Sequence, residues 1–262
     1  MVVTLDEARV LKIALKPEHK NRLILQAEFI QRYDSGIFPK IFNVFEHGYV
    51  MERLQQPFCN EIGGWMADIK QLLRENLWNI KETVVVKHNW HGTLYDAVMR
   101  RFIDVYQLNI IKGFTDKICE RVSEQIFRLR ELKGLTSCPI HGDPTFDNVM
   151  IRFGLPVIID PLPWEESYIP PFKSVDLGKL LQSAWGYECA LQDIHYSIKD
   201  FAGQHDYNMI RIFDGESKVD ILAAKIFCLI HYVRLLPYQK IENQPTMFRI
   251  LLEILNDLET NT

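Results

Sequence analysis

The pattern of apolar and polar positions divides the chain into a β-rich beginning and a mostly helical remainder. At the start, MVVTL and ARVLKIAL are two strand-forming runs around a polar turn, which predicts an antiparallel hairpin. KIFNVF and YVMERL, around EHG, predict a second hairpin that ends before Pro57. Between the hairpins, Leu23, Ala27 and Ile30 recur at helical spacing, so a helix is expected from about His19 to Tyr33.

Beyond this first unit the apolar positions mostly follow the helical period. Helical patterns cover 65–80, 94–132 (one long helix or two in succession), 174–188, 219–236 and 246–258. Ser174 is the expected N-cap of the third of these segments. The TVVVK stretch in KETVVVKHNWHG favours a strand instead. The predicted fold class is α+β, with a small sheet followed by a larger helical part.

One short hairpin interrupts the helical part and carries the densest polar chemistry. The apolar runs around Gly154 in NVMIRFGLPVII predict a strand, a tight turn and a second strand. Asp143 and Asn148 precede the first strand and Asp160 follows the second, so three oxygen-bearing side chains are expected at one end of the hairpin. Oxygen ligands are those that Mg²⁺ prefers.

The same stretch, CPIHGDPTFDN, resembles the catalytic loop of the aminoglycoside phosphotransferase and choline kinase-like family. That loop has the pattern H-G-D-x-x-x-x-N followed by an Asp, and His141, Gly142, Asp143 and Asn148 match it residue by residue. Asp160 stands where the second Asp is expected. Asp-Pro pairs are also ordinary turn signals, so the alternative is that these residues only punctuate turns.

The resemblance implies a protein-kinase-like fold of two lobes. Residues 1–54 would form an N-terminal lobe with an antiparallel sheet, and residues 55–262 a mostly helical C-terminal lobe. It also implies that Asp143 accepts the proton of the substrate hydroxyl, and that Asn148 and Asp160 hold the Mg²⁺ that bridges the nucleotide phosphates.

The family's small-lobe residues have counterparts here as well. Lys12 in VLKIA would be the phosphate-contacting lysine, with Lys16 as second choice, and Glu28 in LQAEFI would pair with it. Backbone groups from Glu52 to Leu54 would bind a purine edge at the hinge between the lobes. The alternatives are an exposed strand lysine, a solvated helix glutamate and an ordinary buried strand.

In the large lobe, the loop after Asp160 and the helix that follows it carry further candidates. Trp164, Glu165, Glu166 and Tyr168 are candidate acceptor contacts, against the alternative of a surface loop. Asp176 resembles the family's structural acid, which accepts hydrogen bonds from the catalytic-loop backbone.

The beginning of the chain departs from the family pattern. Only eleven residues precede Lys12, and neither a G-x-G-x-x-G loop nor a Walker motif occurs in the sequence. A shortened N-terminal lobe is therefore expected, with fewer backbone donors over the nucleotide phosphates. Lys81, Lys87 and His88 are the nearest candidates to replace those donors, if their segment folds over the cleft.

Composition narrows the possible partners and compartments. The 262 residues are 47% hydrophobic, and the formal charge of −4 with a pI near 6.1 gives no general basic field for nucleic acid. No apolar run reaches the ~20 residues of a membrane span, so no membrane association is expected. The five cysteines, an odd number without metal-like pairing, speak against a disulfide framework, and a cytoplasmic location is expected.

The leading hypothesis is an enzyme that moves the γ-phosphoryl group of ATP, or GTP, to a hydroxyl of a sugar, an aminoglycoside-like compound or a related metabolite. An inactive binding or regulatory module is the first alternative, because the phosphate loop is missing. A protein Ser/Thr kinase is the second, although HGD in place of HRD and the short segment after Asp160 weigh against it. The acceptor and the oligomeric state are left open.

Overall fold

Four short antiparallel strands form a sheet at the beginning of the chain, in the order β1-β2-β4-β3. The computed structural model describes residues 1–56, 66–107, 116–164, 169–187, 210–238 and 244–260. The strands are β1 (Val2–Thr4), β2 (Arg9–Ile13), β3 (Ile41–Phe45) and β4 (Gly48–Glu52). Both hairpins expected from the sequence are thereby confirmed.

Helix α1 (Lys20–Arg32) packs against one face of this sheet. Leu23 and Ala27 of the helix share a small core with Val10 of β2 and with Met51 of β4. Because side chains alternate along a strand, Lys12 points to the same face as Val10 and therefore towards α1. The sheet thus holds the predicted phosphate lysine beneath the helix.

Helices form most of the remaining described chain. They are α2 (Met66–Leu73, continued by a π-helical turn over Arg74–Trp78), α3 (Trp90–Gln107), α4 (Asp116–Glu131), α5 (Lys173–Ala184), α6 (Lys218–Leu235) and α7 (Gln244–Thr260). The 94–132 pattern therefore holds two helices, and both closing helices are confirmed. The predicted fold class is confirmed: α+β, with a small antiparallel sheet and a mostly helical remainder.

The packing of α5 against α6 is the centre of the helical part. All residues from Ser174 to Ala184 are buried, so α5 is covered on every side. Gly178 permits close approach of the two helices, since a Cβ at that position would lie 2.9 Å from Ala224 O and 2.9 Å from Phe227 Cβ. This close approach fixes α5 against α6.

Two local predictions are wrong. Ser174 is not the N-cap of α5, because the helix begins at Lys173 with Phe172 as N-cap. Lys173 N–H donates to Thr136 O at 3.0 Å, and this contact sets the start of the helix one residue before Ser174. The TVVVK stretch at 83–87 forms no strand, since in the described chain it meets no strand edge with which to pair.

The hairpin predicted around Gly154 is confirmed: it consists of β5 (Val149–Arg152) and β6 (Leu155–Ile158). It is joined to the first unit by Gln55, whose N–H and C=O both pair with Ile151. The proposed boundary between residues 54 and 55 stays a prediction. Among the described helices, none combines the length and apolar character needed to cross a bilayer.

Candidate functional site

The β5–β6 hairpin brings the three predicted oxygen-bearing residues together at one end. Val149 pairs with Ile158, so the chain before β5 lies beside the chain after β6, and Ile159 N–H donates to Asn148 O at 2.8 Å. Asp160 follows, with a φ of 60° that is unusual for a residue other than glycine. Asn148 Nδ2 lies 2.8 Å from Asp143 O and 3.2 Å from Asp143 Oδ2.

Asp176, the predicted structural acid, holds the H-G-D loop through its backbone. Its carboxylate accepts from Gly142 N–H at 2.7 Å, from His141 N–H at 3.0 Å and from Trp78 Nε1–H at 3.0 Å. Burial raises the pKa of Asp176 to about 6, although the three donors favour the ionised form. The hydrogen bonds to the loop backbone are those the sequence led us to expect.

His141 connects the loop to the hairpin. Its Nε2 lies 3.0 Å from Ile159 O, and its Nδ1 accepts from Asp143 N–H at 3.2 Å. Burial lowers the pKa of His141 to about 4, so the ring is neutral at pH 7. Gly142 has a φ of 82°, and a Cβ there would lie 2.7 Å from Leu162 O, so this position requires glycine.

The carboxylate of Asp143 faces a buried lysine that the motif did not predict. Lys179 Nζ on α5 lies 2.9 Å from Asp143 Oδ1. Burial alone would raise the pKa of Asp143, but Lys179 outweighs it and holds the pKa below its ordinary value. Helical spacing could have indicated Lys179, because it follows Asp176 by three residues and so lies on the same face of α5.

Lys12 reaches the same site from the sheet. Its ammonium group forms an ion pair with Asp160 and lies 3.2 Å from Gln26 Oε1, with 12% of the side chain exposed. Burial lowers the pKa of Lys12, while Asp160 opposes that shift. Lys16, the second choice, lies exposed beyond β2. The structure therefore places Lys12 with the hairpin residues.

Glu28 is not the residue that pairs with Lys12, and this prediction is corrected. Glu28 is exposed, whereas Gln26, two residues earlier on α1, is buried and contacts Lys12. An α-helix turns about 100° per residue, so the side chains of Gln26 and Glu28 point in nearly opposite directions. Gln26 is a polar residue on the same side of the helix as the apolar Leu23 and Ala27, and this unusual position is the signal that would have found it.

The predicted hinge is only partly open to a ligand. Glu52 N–H donates to Lys40 O at 2.9 Å, so it is not available to a nucleotide base. The carboxylate of Glu52 binds Arg152, with Nε 2.9 Å from Oε1, and Arg152 keeps the pKa of Glu52 below its usual value despite partial burial. This ion pair links β4 to the β5–β6 hairpin.

Leu54 is the better hinge candidate. No hydrogen bond to its N–H is found within the described chain, whereas the preceding Arg53 N–H donates to Ala8 O at 2.8 Å. A cavity of about 560 Å³ opens beside it, lined by Glu7 and residues 53–56. A volume of this order is typical of small-molecule sites.

Of the other candidates, the structure places Trp164 in the core and Lys87 at a separate cavity. Trp164 is buried and packs edge-on against Phe29 with ring centres 5.6 Å apart, so it belongs to the core. Glu165, Glu166 and Tyr168 lie outside the described residues. Lys87 lines a separate cavity of about 360 Å³ with Trp90 and Trp164, and none of the predicted catalytic or metal-binding residues lines it.

The fold and the position of the H-G-D-x-x-x-x-N loop define a protein-kinase-like architecture in the form that small-molecule kinases share. No protein-family model matches the chain, and no curated protein matches it in sequence. Solved structures match it over nearly its whole length. The chain has the fold shared by choline kinases and aminoglycoside phosphotransferases, in agreement with the expectation from the motif.

Three of these structures illustrate the similarity. A choline/ethanolamine kinase family protein from Mesorhizobium loti has a TM-score of 0.65 at 14% identity, covering 99% of this chain and 86% of its own. A glucosamine kinase in complex with glucosamine, ADP and inorganic phosphate has a TM-score of 0.65 at 10% identity, covering 99% and 78%. The streptomycin-ATP-APH(2'')-IIa complex has a TM-score of 0.57 at 12% identity, covering 98% and 92%.

Proposed function

We propose that this protein is a Mg²⁺-dependent phosphotransferase that moves the γ-phosphoryl group of ATP or GTP to a hydroxyl of a small molecule. The observation that carries the proposal is the convergence of Asp143, Asn148, Asp160 and Lys12 where the hairpin meets the sheet. Two of the structures with this fold are complexes with ADP and with ATP, and their bound molecules include glucosamine and streptomycin, which supports the same reaction class here.

Asp143 is the proposed base. Lys179 contacts its carboxylate and the neutral His141 accepts from its backbone N–H, so both hold Asp143 in place, and its lowered pKa keeps it ionised at neutral pH. An ionised carboxylate at this position can accept the proton of the attacking hydroxyl and orient that hydroxyl towards the γ-phosphorus.

The chemistry of Asn148 and Asp160 fits Mg²⁺. Asn148 uses its amide nitrogen to bind Asp143, which leaves the amide oxygen as the coordinating atom. Asp160 is 33% exposed and offers a second carboxylate oxygen besides the one paired with Lys12. Bound Mg²⁺ would neutralise phosphate charge. The described chain has no group of three or more His, Cys, Asp or Glu residues that could bind a metal ion. Phosphate and water oxygens would therefore complete the coordination shell of the Mg²⁺.

Lys12 and the hinge would hold the nucleotide. Gln26 and Asp160 hold the ammonium group of Lys12 where the phosphates would bind. Leu54 N–H, for which no acceptor is found in the described chain, would bind the base edge. Gln26 takes the positioning role that we first expected of Glu28.

The test is incubation of the protein with γ-labelled ATP or GTP, Mg²⁺ and a deproteinised pool of cellular metabolites. Label on a small molecule supports the proposal, and its loss in Asp143→Asn with retention in the exposed neighbour Asp147→Asn assigns it to this site. Label on protein would indicate a protein kinase instead. Absence of label in the presence of nucleotide binding would indicate an inactive binding module.

A further inference from the structure

The separate cavity of about 360 Å³ is not accounted for by the proposed reaction. Four parts of the chain form its walls: Arg32 at the end of α1, residues 82–85 with Lys87, Trp90 at the start of α3, and Trp164 with residues 169–171. The residues proposed to bind the nucleotide, the Mg²⁺ or the hydroxyl proton are not among them. The cavity is therefore a candidate for a second ligand.

The size and the aromatic walls of the cavity suit a small ring compound. A cavity of ~150 Å³ accommodates a benzene ring, so 360 Å³ is enough for two fused rings with substituents. Trp90 packs edge-on against Phe172 with ring centres 5.2 Å apart, and Trp164 packs in the same way against Phe29. Because these contacts hold both indoles in place, the cavity has the preformed apolar walls that are typical of ligand sites.

The charged groups at the cavity are already engaged. Glu82 Oε2 accepts from Tyr33 Oη–H at 2.7 Å, and Arg32 and Lys87 have partners of their own. An ion bound among them would be taken out of water without a free counter-charge, which costs far more than the burial of an uncharged molecule. The cavity therefore favours a ligand without net charge.

The segment 82–86 adds unpaired peptide groups and an exposed apolar side chain. In the described chain, no hydrogen bond is found for the backbone N–H or C=O groups of these residues. They include most of the TVVVK stretch, whose strand-forming residues have no strand edge with which to pair. Val85 lines the cavity and is 78% exposed. A ring compound with N–H and C=O groups would cover this apolar surface and would find donors and acceptors at its edge.

Two walls of the cavity belong to the elements that hold Lys12 in the proposed nucleotide site. Gln26 of α1 contacts Lys12 and donates to Pro161 O at 2.8 Å. Arg32 ends the same helix, and Trp164 follows Pro161 by three residues. A ligand that contacts both Arg32 and Trp164 therefore joins α1 to the segment that Gln26 also binds.

A series of ring contacts runs from the cavity to the H-G-D loop. Trp164 packs on Phe29, and Phe29 packs on Phe38 with ring centres 5.7 Å apart. Phe38 stacks on His141 with ring centres 6.0 Å apart. His141 Nδ1 in turn accepts from Asp143 N–H. A ligand that packs on Trp164 thus extends a continuous set of rings that ends beside the proposed base.

We infer that this cavity is a regulatory site for an uncharged small molecule built on fused rings, and that its occupant tightens the binding of Mg²⁺–nucleotide. The tightening rests on the proposed function, whereas the binding of the ring compound does not. An occupant holds α1 on the segment after Asp160 and so favours the arrangement in which Gln26 aims Lys12 into the site. Because coupling between two sites is reciprocal, nucleotide tightens the binding of the ring compound by the same factor.

The first test locates the site and the charge of its ligand by calorimetry. Oxindole is an uncharged fused ring with N–H and C=O groups, while tryptamine and indoleacetate carry a similar ring with a positive or a negative charge. Oxindole should bind, and both charged compounds should bind at least roughly tenfold more weakly. Val85→Lys puts a charge at the cavity and should remove oxindole binding. Ile103→Lys makes the same change at a side chain of α3 that is 53% exposed and does not line the cavity, and it should bind as the wild type does.

Both substitutions are at the surface, so both variants should melt within a few degrees of the wild type. Absence of oxindole binding, equal binding of the charged compounds, or oxindole binding that survives Val85→Lys would each overturn the inference.

The second test measures the coupling. Mg²⁺–ATP and Mg²⁺–GTP are each titrated into the wild type with and without saturating oxindole, and oxindole is titrated with and without saturating nucleotide. We expect oxindole to lower the nucleotide Kd about fivefold or more, and nucleotide to lower the oxindole Kd by the same factor. In Val85→Lys the nucleotide Kd should not respond to oxindole.

The possible failures can be told apart. Nucleotide affinity that is unchanged by bound oxindole overturns the regulatory role and leaves the proposed function intact. Mutual weakening shows competition at the nucleotide site and also overturns the inference alone. If neither nucleotide binds with or without oxindole, the regulatory role and the proposed function fail together.

Discussion

Gln26 Oε1 lies 3.2 Å from Lys12 Nζ, and Gln26 Nε2–H donates to Pro161 O at 2.8 Å. One neutral side chain thus links Lys12, the proposed phosphate lysine of the sheet, to the residue that directly follows Asp160. Because the amide carries no charge, Asp160 is the anionic partner found for Lys12 in the described chain. Nucleotide phosphates and Mg²⁺ would then have to draw Lys12 and Asp160 apart, while Gln26 keeps the lysine aimed into the site.

Substitution of Gln26 should weaken nucleotide binding without disrupting the sheet. In Gln26→Leu the ammonium group loses an oriented acceptor, and a hydrogen bond to a charged group contributes about 1.5–3 kcal/mol. We expect a roughly tenfold or greater rise in the Kd for Mg²⁺–nucleotide by calorimetry. Glu28→Gln on the exposed face of α1 is the matched control and should bind as the wild type does. Weaker binding in Glu28→Gln alone would restore the original assignment.

Replacement of Asp143 should remove catalysis and spare the fold. Asp143→Asn keeps the shape and the contact with Asn148 but removes the proton acceptor, so kcat should fall by about 10²–10⁴. Circular dichroism and a melting curve establish that the variant is folded. If kcat is unaltered in a folded Asp143→Asn, another residue is the base.

The two proposed metal ligands should be separable from Lys12 by their dependence on Mg²⁺. For Asn148→Ala and Asp160→Ala we expect the increase in nucleotide affinity caused by Mg²⁺ to be lost, because each removes a hard oxygen ligand. Calorimetric titrations with Mg²⁺ and with EDTA give the two affinities for each variant. Gln26→Leu is the comparison, since it should weaken binding in both conditions. Equal enhancement by Mg²⁺ in all three variants would place the metal elsewhere.

The sequence predicted the elements with local signals and missed those set by tertiary contacts. The hairpin around Gly154 and the H-G-D-x-x-x-x-N spacing are local, so the convergence of Asp143, Asn148 and Asp160 could be anticipated. Which residue of α1 faces Lys12 depends on how the helix packs on the sheet, and a match to the family's glutamate selected the exposed Glu28. The N-terminus of α5 was likewise shifted by a contact with Thr136, which is distant in sequence.

The burial of polar residues on α5 was beyond the reach of sequence patterns for the same reason. Lys179 and Gln182 stand within an apolar helix, where isolated polar residues usually indicate an exposed face. Only the burial of α5 on all sides shows that they point into the protein. His231 and Arg234 of α6 follow Gln182 by 49 and 52 residues, so no local spacing joins them to the polar residues of α5.

Asp176 should matter to stability as much as to activity. Its carboxylate satisfies two backbone N–H groups of the catalytic loop and the indole of Trp78, and Asp176→Ala leaves three buried donors unpaired. Each unpaired donor costs about 1–3 kcal/mol, so a drop in melting temperature and in free energy of unfolding is expected. Trp78→Phe removes only the indole donor and should lose far less catalytic activity. An Asp176→Ala variant as stable as the wild type would contradict the structural role.

Lys179 should set the acid limb of the pH–rate profile. Asp143 acts as a base only when ionised, so activity falls as pH drops through its pKa, and Lys179 holds that pKa below the ordinary 3.8. The wild type should therefore show no acid limb from Asp143 between pH 5 and 8. In Lys179→Met the carboxylate stays buried but loses its nearest cation, so its pKa should rise and the acid limb should move upward, into or towards that range. Lys179→Arg keeps the charge and should leave the profile in place, which separates the electrostatic effect from altered packing.

The measurement is kcat/KM against pH at constant ionic strength with saturating Mg²⁺–nucleotide. Lower activity at every pH with an unshifted profile would show that Lys179 acts on the bound acceptor or the transferred phosphoryl group and does not tune Asp143.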